Sequence, residues 1–239
     1  SLVVNRGRVT GVELRDGSHV NGDEFVLAVP HYLVRAMLPT DVPQHPDVVA
    51  LDRLENAPIA SVHLWYDQPL TALPHATFVD RLSQWMFNRT VLSDRMATSG
   101  TNLNAEKETG CRLQVVISAA HDLSAMPEQE VVAKVDSELR EVWPTSHAAR
   151  LLHGRLITEH RAVFSPLPGV DKLRPVQQSP ISNLQFAGDW TRTGWPATME
   201  SAVRSGYLAA GNVLRRIGER ETLVPSELPS ARLYRLLFA

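Results

Sequence analysis

The sequence has few of the features that mark disulfide-rich, membrane-spanning or nucleic-acid-binding proteins. It contains a single cysteine, Cys111, so no internal disulfide can form, and no apolar run approaches the roughly 20 residues that span a bilayer. The formal net charge is only -2, and no Lys/Arg-rich segment occurs, which argues against a nucleic-acid partner. We therefore expect a globular protein of a reducing compartment, the cytoplasm.

Several catalytic motifs are also missing. The nine histidines show no metal-ligand spacing and no His-Glu-x-x-His pattern, so no metal site is predicted. No Gly-x-Ser-x-Gly segment indicates a serine hydrolase. The Gly-x-Gly-x-x-Gly turn that cradles a dinucleotide pyrophosphate is absent as well.

The most specific pattern that is present lies at residues 184–200. Residues 184–187 are apolar enough for a buried strand, Gly188 and Asp189 predict a turn, and a helix is expected to begin near Pro196. Such a unit places a carboxylate at a strand end and directs the N–H groups of a helix N-terminus towards the same point. That arrangement suits the hydroxyls and anionic groups of a nucleotide cofactor.

Hydrophobic periodicity predicts an α/β (α+β) protein of two lobes. We assign residues 1–52 and 161–219 to one lobe, with an apolar run at 25–29 expected to be a strand buried on both faces. Residues 53–160 have the alternation of a mainly antiparallel sheet, and residues 220–239 form a tail. Helices are predicted at residues 31–38, 127–142 and 198–217, whereas residues 90–110 are expected to be loop-rich.

A family resemblance accompanies these patterns. Phe-Ala-Gly-Asp-Trp at 186–190, followed by Gly-Trp-Pro-Ala-Thr-Met-Glu-Ser-Ala-Val-Arg-Ser-Gly-Tyr-Leu-Ala-Ala at 194–210, resembles the C-terminal FAD-binding motif of the flavin amine oxidase and phytoene desaturase superfamily. Within that superfamily the sequence is most similar to the hydroxysqualene dehydroxylases. The supporting segments are residues 11–14, 26–30, 61–67, 79–85 and 113–119.

The resemblance implies an FAD-dependent oxidoreductase with an isoprenoid substrate and an antiparallel substrate-binding domain at residues 53–160. For the dehydroxylases the implied reaction removes the allylic hydroxyl of hydroxysqualene, giving squalene for hopanoid biosynthesis. An amine oxidase or a carotenoid or phytoene desaturase remains an alternative. Because the glycine fingerprint is missing, the chain resembles the C-terminal part of such an enzyme, with an incomplete FAD-binding lobe. A non-catalytic fragment that needs a separate N-terminal FAD-binding segment is the other alternative.

The resemblance also assigns candidate site residues. Asp189 matches the acidic residue that hydrogen-bonds the FAD ribityl chain, and the helix-start N–H groups would face the flavin ring or the phosphates. The ordinary alternatives are a turn aspartate and a plain helix start. No catalytic residue is identified. The cofactor-binding candidates are Gly188, Asp189, Trp195, Pro196, Ala197, Thr198 and Met199.

Three tryptophans are candidates for lining a hydrophobic substrate site, although tryptophans also pack in ordinary cores. They are Trp65, Trp85 and Trp190. The tail fits two interpretations, a segment docked on the protein body, which we favour, or a peripheral contact with the inner membrane face. Its relevant side chains are Leu228, Arg232, Leu233, Arg235, Leu236, Leu237 and Phe238.

Overall fold

The computed structural model describes residues 1–38, 45–98, 110–219 and 223–224. The chain divides into two compact units: a discontinuous unit, Ser1–Glu55 with Pro166–Ala239, and a central unit, Asn56–Ser165. The tail side chains named above, and with them the two interpretations of the tail, lie outside the described residues. The functional roles assigned to the two lobes stay predictions.

The strands, in chain order, are β1 (Leu2–Asn5), β2 (Arg8–Glu13), β3 (His19–Asn21), β4 (Phe25–Leu27), β5 (Asn56–Tyr66), β6 (His75–Thr77), β7 (Trp85–Asn88), β8 (Cys111–Ser118), β9 (Leu151–Phe164) and β10 (Leu184–Phe186). The α-helices are α1 (His31–Met37), α2 (Pro46–Ala50), α3 (Arg89–Thr98), α4 (Glu128–Val142) and α5 (Met199–Arg216). This mixture of helices with parallel and antiparallel sheets is the predicted α/β (α+β) class.

The discontinuous unit contains two small sheets. Strands β1, β2 and β3 form an antiparallel meander, whereas β4 and β10 pair in parallel although about 160 residues separate them. The buried amide of Asn183 joins the two sheets: its Oδ1 accepts from the N–H of Val9 at 2.8 Å, and its Nδ2 donates to the carbonyls of Val9 and Asp23, both at 2.8 Å. One side chain thus satisfies three main-chain groups at the base of the β4–β10 pair.

The central unit is a five-stranded antiparallel sheet in the order β6-β7-β8-β5-β9, with α4 packed on one face. Alternate residues of the strands point towards α4 because successive side chains in a strand point to opposite faces. Its core residues on the strands include Ala60, Val62, Leu64, Tyr66, Met86, Leu113, Val115 and Ile117, and those on α4 include Val131, Val135 and Leu139.

Three sequence expectations are wrong. The apolar run at 25–29 is not buried on both faces, since Val26 is 49% exposed. Residues 89–98 form helix α3 rather than loop, and the side chain of Asn88 accepts from the N–H of Val91 in its first turn. The third concerns the start of α5 and is described with the site. The predicted helices at 31–38, 127–142 and 198–217 are confirmed as α1, α4 and α5; only the separate expectation of a helix start near Pro196 is wrong.

Within the described ranges, no helix is both long and apolar enough to cross a membrane. The same ranges contain no group of three or more His, Cys, Asp or Glu side chains that could hold a metal ion.

Candidate functional site

The candidate site begins at the carboxyl ends of β4 and β10. Because these strands run in parallel, the segments that follow them leave the sheet at the same edge, and the N–H of Ala187 extends the pairing by donating to the carbonyl of Leu27 at 3.1 Å. Ligands of open α/β sheets bind outside the carboxyl ends of parallel strands. Gly188 and Asp189 follow β10 directly, so the predicted Gly-Asp turn lies at this edge.

Gly188 is needed at this turn because of Trp190. It has φ +149°, and a Cβ atom at this position would lie 2.2 Å from Nε1 of Trp190. The indole of Trp190 is 1% exposed, donates from Nε1 to the carbonyl of Val29 at 2.9 Å, and lies 5.6 Å from the ring of Phe186. Trp190 therefore packs in the core and links the ends of β4 and β10; its substrate-lining role stays a prediction.

The Asp189 carboxylate lies in a polar but partly desolvated position. Burial raises the pKa of Asp189, and the nearby positive charge of Arg174 and the ring of His31 oppose this without reversing it. The nearby main-chain N–H groups of Asp189 and Trp190 also favour its charged form and act to lower its pKa. A half-buried carboxylate held at this energetic cost is typical of a binding site, although structural carboxylates are perturbed as well.

A buried arginine that no sequence pattern marks organises the loop after Asp189. Arg174 is 4% exposed, and its Nη2 donates to the carbonyls of Asp189 at 2.9 Å and Thr191 at 2.6 Å and to Oγ of Ser201 at 3.3 Å. Its Nη1 donates to the carboxylate of Asp171 at 2.8 Å. Because the guanidinium carries five donors in a rigid plane, it can hold both the loop and the first turn of α5.

Buried polar side chains complete the support of this loop. Nε2 of Gln177 donates to Oγ1 of Thr191 at 3.0 Å and to the carbonyl of Arg192 at 3.2 Å. The hydroxyls of Thr193 and Ser201 are 2.7 Å apart, and Thr193 Oγ1 accepts from the N–H of Trp195 at 3.3 Å. The loop is thus fixed by side chains from both of its flanks, as a preformed binding loop requires.

Helix α5 begins at Met199, three residues after the predicted start at Pro196. Thr198 is the N-cap: it is extended, with φ -143° and ψ 164°, and its Oγ1 accepts from the N–H of Ser201 at 3.2 Å. A threonine with this side-chain bond ends the preceding loop more effectively than a proline two residues earlier. Pro196 and Ala197 therefore lie before the helix, and of the predicted first-turn residues only Met199 belongs to it.

The exposed end of α5 offers donors. Its first N–H groups, those of Met199 and Glu200, have no hydrogen-bond partner among the described residues, and the Met199 side chain is 88% exposed. Near them, Nε of Arg204 donates to the carboxylate of Glu200 at 2.6 Å, and its guanidinium lies 5.0 Å from the ring centre of Trp195. Trp195 is therefore held against α5 by a cation–π contact.

The other two tryptophan candidates lie on the central sheet, on the face opposite α4, which we call the opposite face. Trp65 of β5 is half-buried with its ring 5.0 Å from that of His153, and Trp85 of β7 is 48% exposed and stacked on Phe87 at 6.3 Å. Neither ring contributes to the core against α4, so the ordinary core position is wrong for both. Their substrate-lining role stays a prediction.

The residues around Asp189 fit a flavin nucleotide. The carboxylate can accept bonds from the ribityl hydroxyls, and the free N–H groups at the α5 N-terminus suit negative charge on a phosphate or a reduced ring. These donors and acceptors belong to a loop and a helix start whose main chain is held in place by Arg174, Gln177 and Trp190.

Comparison with known proteins identifies the class. Residues 2–214 match the family described as flavin containing amine oxidoreductase. The chain therefore belongs to this family of oxidoreductases, whose cofactor is a flavin.

The chain is similar to curated enzymes of isoprenoid metabolism. It is 28% identical to the 15-cis-phytoene desaturase of Solanum lycopersicum, over 87% of this chain and 36% of that protein, and 28% identical to the desaturase of Synechococcus elongatus, over 89% and 44%. It is 30% identical to the hydroxysqualene dehydroxylase of Zymomonas mobilis, over 79% of this chain and 38% of that enzyme. The chain thus spans less than half the length of these relatives.

Solved structures share the fold at low identity. An oxidoreductase from Methanosarcina mazei superposes with a TM-score of 0.61 at 14% identity, covering 90% of this chain and 47% of that one. A putrescine oxidase variant gives a TM-score of 0.62 at 13% identity, covering 89% and 47%. Reduced UDP-galactopyranose mutase gives 0.61 at 14% identity, covering 90% and 46%. These structures establish the two-lobed amine-oxidase-like fold.

Proposed function

We propose that this chain forms the C-terminal part of an FAD-dependent oxidoreductase that converts hydroxysqualene to squalene by reductive dehydroxylation. The observation that carries the flavin part is the position of Asp189, a half-buried carboxylate at the end of β10 beside the free N-terminus of α5. The similarity to a hydroxysqualene dehydroxylase over 79% of the chain supports the substrate class.

The residues of the chain have distinct roles in this proposal. Asp189 accepts hydrogen bonds from the ribityl hydroxyls, and the N–H groups of Met199 and Glu200 stabilise negative charge on the cofactor. A reduced flavin supplies the hydride that such a reaction needs. The allylic C–O bond breaks, a C–H bond forms at the same carbon, and the hydroxyl takes up a proton and leaves as water.

The opposite face of the central sheet is our proposed surface for the isoprenoid. Trp65, Trp85 and Phe87 are only half-buried there and present aromatic area without belonging to the α4 core. Aromatic and aliphatic side chains of this kind line hydrophobic ligand sites and exclude water from the reacting carbon.

Desaturation of a carotenoid precursor such as phytoene is the second candidate. The observation that favours it is the longer similarity to the 15-cis-phytoene desaturases, over 87% and 89% of the chain.

The remaining alternatives have less support. For an amine oxidase activity, the support is the fold likeness to putrescine oxidase. A non-catalytic role stays a proposal, since the chain spans less than half of its relatives and has no Gly-x-Gly-x-x-Gly turn. We propose a cytoplasmic location, with residues 220–239 docked on the protein body; peripheral contact of this tail with the inner membrane face is the alternative.

The test uses the chain joined to an added N-terminal segment designed to carry a Gly-x-Gly-x-x-Gly turn. With chemically reduced FAD under anaerobic conditions, hydroxysqualene should yield squalene; with oxidised FAD, 15-cis-phytoene should yield no product with an added double bond. Desaturation without dehydroxylation would select the second candidate. No turnover of either substrate by a protein that binds FAD would contradict both. The matched control, Asp189→Asn, should lower turnover at limiting FAD.

A further inference from the structure

Three polar side chains form a connected group in the middle of the opposite face. Gln114 of β8 donates from Nε2 to Oγ of Ser61 at 2.9 Å, and Oγ of Ser61 lies 3.1 Å from Nε2 of His63 on the same strand. In the β5–β8 register His63 is directly opposite Gln114. We call Ser61, His63 and Gln114 the polar trio.

The surroundings of the polar trio combine apolar side chains with arginines. Arg155 of β9 is directly opposite His63, and the charges of Arg112 and Arg89 act on the His63 ring. Ser61 lies directly opposite Val116 on β8 and Ile157 on β9. Phe87 is opposite Gln114, and the ring of Trp65 is stacked 6.1 Å from that of His63. A polar group bordered by aromatic and aliphatic side chains can fix the orientation of a ligand whose remaining surface is hydrophobic.

Within the pair formed by Ser61 and His63, one donor is unused, whichever ring nitrogen of His63 carries the proton. If Nδ1 carries it, Ser61 donates to Nε2, and the Nδ1–H has no partner among the described residues. If Nε2 carries it, Oγ of Ser61 accepts from both His63 and Gln114, so the Ser61 hydroxyl hydrogen is unused. Each arrangement also leaves one acceptor lone pair, on Ser61 or on His63. The Gln114 amide also keeps its second N–H and its Oε1 beyond the bond to Ser61.

The ring of His63 is neutral at neutral pH. Burial lowers the pKa of His63, and the positive charges of Arg112 and Arg89 lower it further. A neutral imidazole keeps one donor and one acceptor, which is the complement of a hydroxyl group.

From this geometry we propose that the polar trio binds the hydroxyl group of the isoprenoid and thereby selects a hydroxylated chain over a hydrocarbon. This inference rests on the proposed function and makes its substrate class more specific. A hydroxyl would both accept from the unused donor and donate to the free lone pair. A hydrocarbon would displace water from this donor and this lone pair without replacing their hydrogen bonds to water. A site with unsatisfied polar groups binds such an apolar analogue more weakly.

The test measures binding of farnesol and of the hydrocarbon in which hydrogen replaces its hydroxyl, by titrating the tryptophan fluorescence of the 239-residue chain. We expect farnesol to bind about 10-fold more tightly, the effect of one hydrogen bond in a half-buried site. Farnesol, and not the hydrocarbon, should also shift the NMR signals of the His63 ring. That readout needs no variant.

Variants separate the polar trio from the rest of the face. Ser61→Ala should abolish the preference for farnesol without weakening hydrocarbon binding, and Ser61→Thr, which keeps the hydroxyl and suits a strand, should retain it. Ser118→Ala is the matched control, because Ser118 of β8 also lies on the opposite face but outside the polar trio. We expect this variant to leave the affinities for farnesol and for the hydrocarbon unchanged.

Three outcomes decide the proposal. Preferential farnesol binding that shifts the His63 signals and is lost in Ser61→Ala supports it. Equal affinity for the two ligands, or a preference that survives in Ser61→Ala, overturns the role of the polar trio while isoprenoid binding stands. If neither ligand binds, both this inference and the isoprenoid part of the proposed function are overturned; the flavin part is tested separately by FAD binding.

Discussion

Arg174 holds the main chain of Asp189 in place: its buried guanidinium donates from Nη2 to the carbonyl of Asp189 at 2.9 Å. The same positive charge acts to lower the pKa of the Asp189 carboxyl, against the larger opposing effect of burial. One side chain therefore both positions the candidate flavin ligand and offsets part of the cost of burying it.

We expect Arg174→Met to damage stability and flavin binding together. A main-chain carbonyl left without a donor costs about 1–3 kcal/mol. The carbonyl of Thr191 loses its side-chain donor, and that of Asp189 keeps only the longer bond from Oγ of Ser201 at 3.4 Å. The free energy of unfolding, measured in urea, should fall by about 2 kcal/mol or more. Arg192→Met in the same loop is the control, because Arg192 is exposed and should change stability by less than about 0.5 kcal/mol. Equal effects of the two variants would contradict the role of Arg174.

Asp189→Asn should weaken FAD binding without destabilising the fold. The amide has nearly the same shape as the carboxyl but loses the charge-assisted bonds to a ribityl hydroxyl, so we expect affinity to fall about 10-fold. Because the pKa of Asp189 is raised in the folded protein, its stabilising contribution belongs to the protonated form. That contribution is complete below the pKa of the unfolded chain and is lost as the pH rises through the folded pKa.

The pH dependence of unfolding distinguishes this account from a purely structural aspartate. At pH 7 the Asp189→Asn variant should be at least as stable as the wild type, and the difference should shrink as the pH falls and the carboxyl becomes protonated. A variant that is clearly less stable than the wild type at pH 7 would mean that the carboxylate serves the fold.

Gly154 is required by the packing of α4 on β9. A Cβ atom at this position would lie 2.4 Å from Cγ1 of Val132, a contact that real structures do not tolerate. We expect Gly154→Ala to lower the free energy of unfolding by about 1–3 kcal/mol, as overpacking does. Adding Val132→Ala should recover part of the loss, and a double-mutant cycle that shows no coupling would contradict the contact.

Glu138 stabilises the turn before β7 in a pH-dependent way. Its carboxylate accepts from the N–H groups of Leu82 at 3.0 Å and Ser83 at 2.8 Å. Burial alone would raise the pKa of Glu138, but the bonds from Ser83 and Leu82 and the charge of Arg81 outweigh it and lower the pKa. The stabilisation is therefore present above the pKa of the unfolded chain and is lost as the pH falls through the folded pKa.

Glu138→Gln should thus lower the free energy of unfolding at pH 7 by about 1–2 kcal/mol, with the difference from the wild type disappearing in acid. The matched control is Glu141→Gln. Glu141 is 60% exposed and pairs with Arg81 at the surface, so its effect should be near zero. Unfolding curves between pH 3 and pH 7 measure both, and a pH-independent loss in Glu138→Gln would count against the carboxylate.

The features that the sequence predicted correctly are those with a local pattern. The Gly188-Asp189 turn has a short-range signature, and α4 has hydrophobic residues at helical spacing. The start of α5 was misplaced because both Pro196 and Thr198 are acceptable helix-start residues, and only the bond from the Ser201 N–H to Thr198 decides between them.

The features that were missed depend on distant residues. Nothing around Arg174 marks it as a buried residue, because its carbonyl partners follow 15 and 17 positions later. The polar trio likewise needs the pairing of β5 with β8, which brings Gln114 to Ser61 across 53 positions. The core position of Trp190 was missed for the same reason. Its indole N–H donates to the carbonyl of Val29, which lies 161 positions earlier in the chain.

FAD binding tests the central claim most directly. The chain, joined to an N-terminal segment with the glycine fingerprint, should bind FAD at one equivalent in a fluorescence titration, and Asp189→Asn should bind it about 10-fold more weakly. Equal affinity of the wild type and Asp189→Asn, or no binding by a folded wild-type protein, would contradict the assignment of the β10–α5 edge as the flavin site.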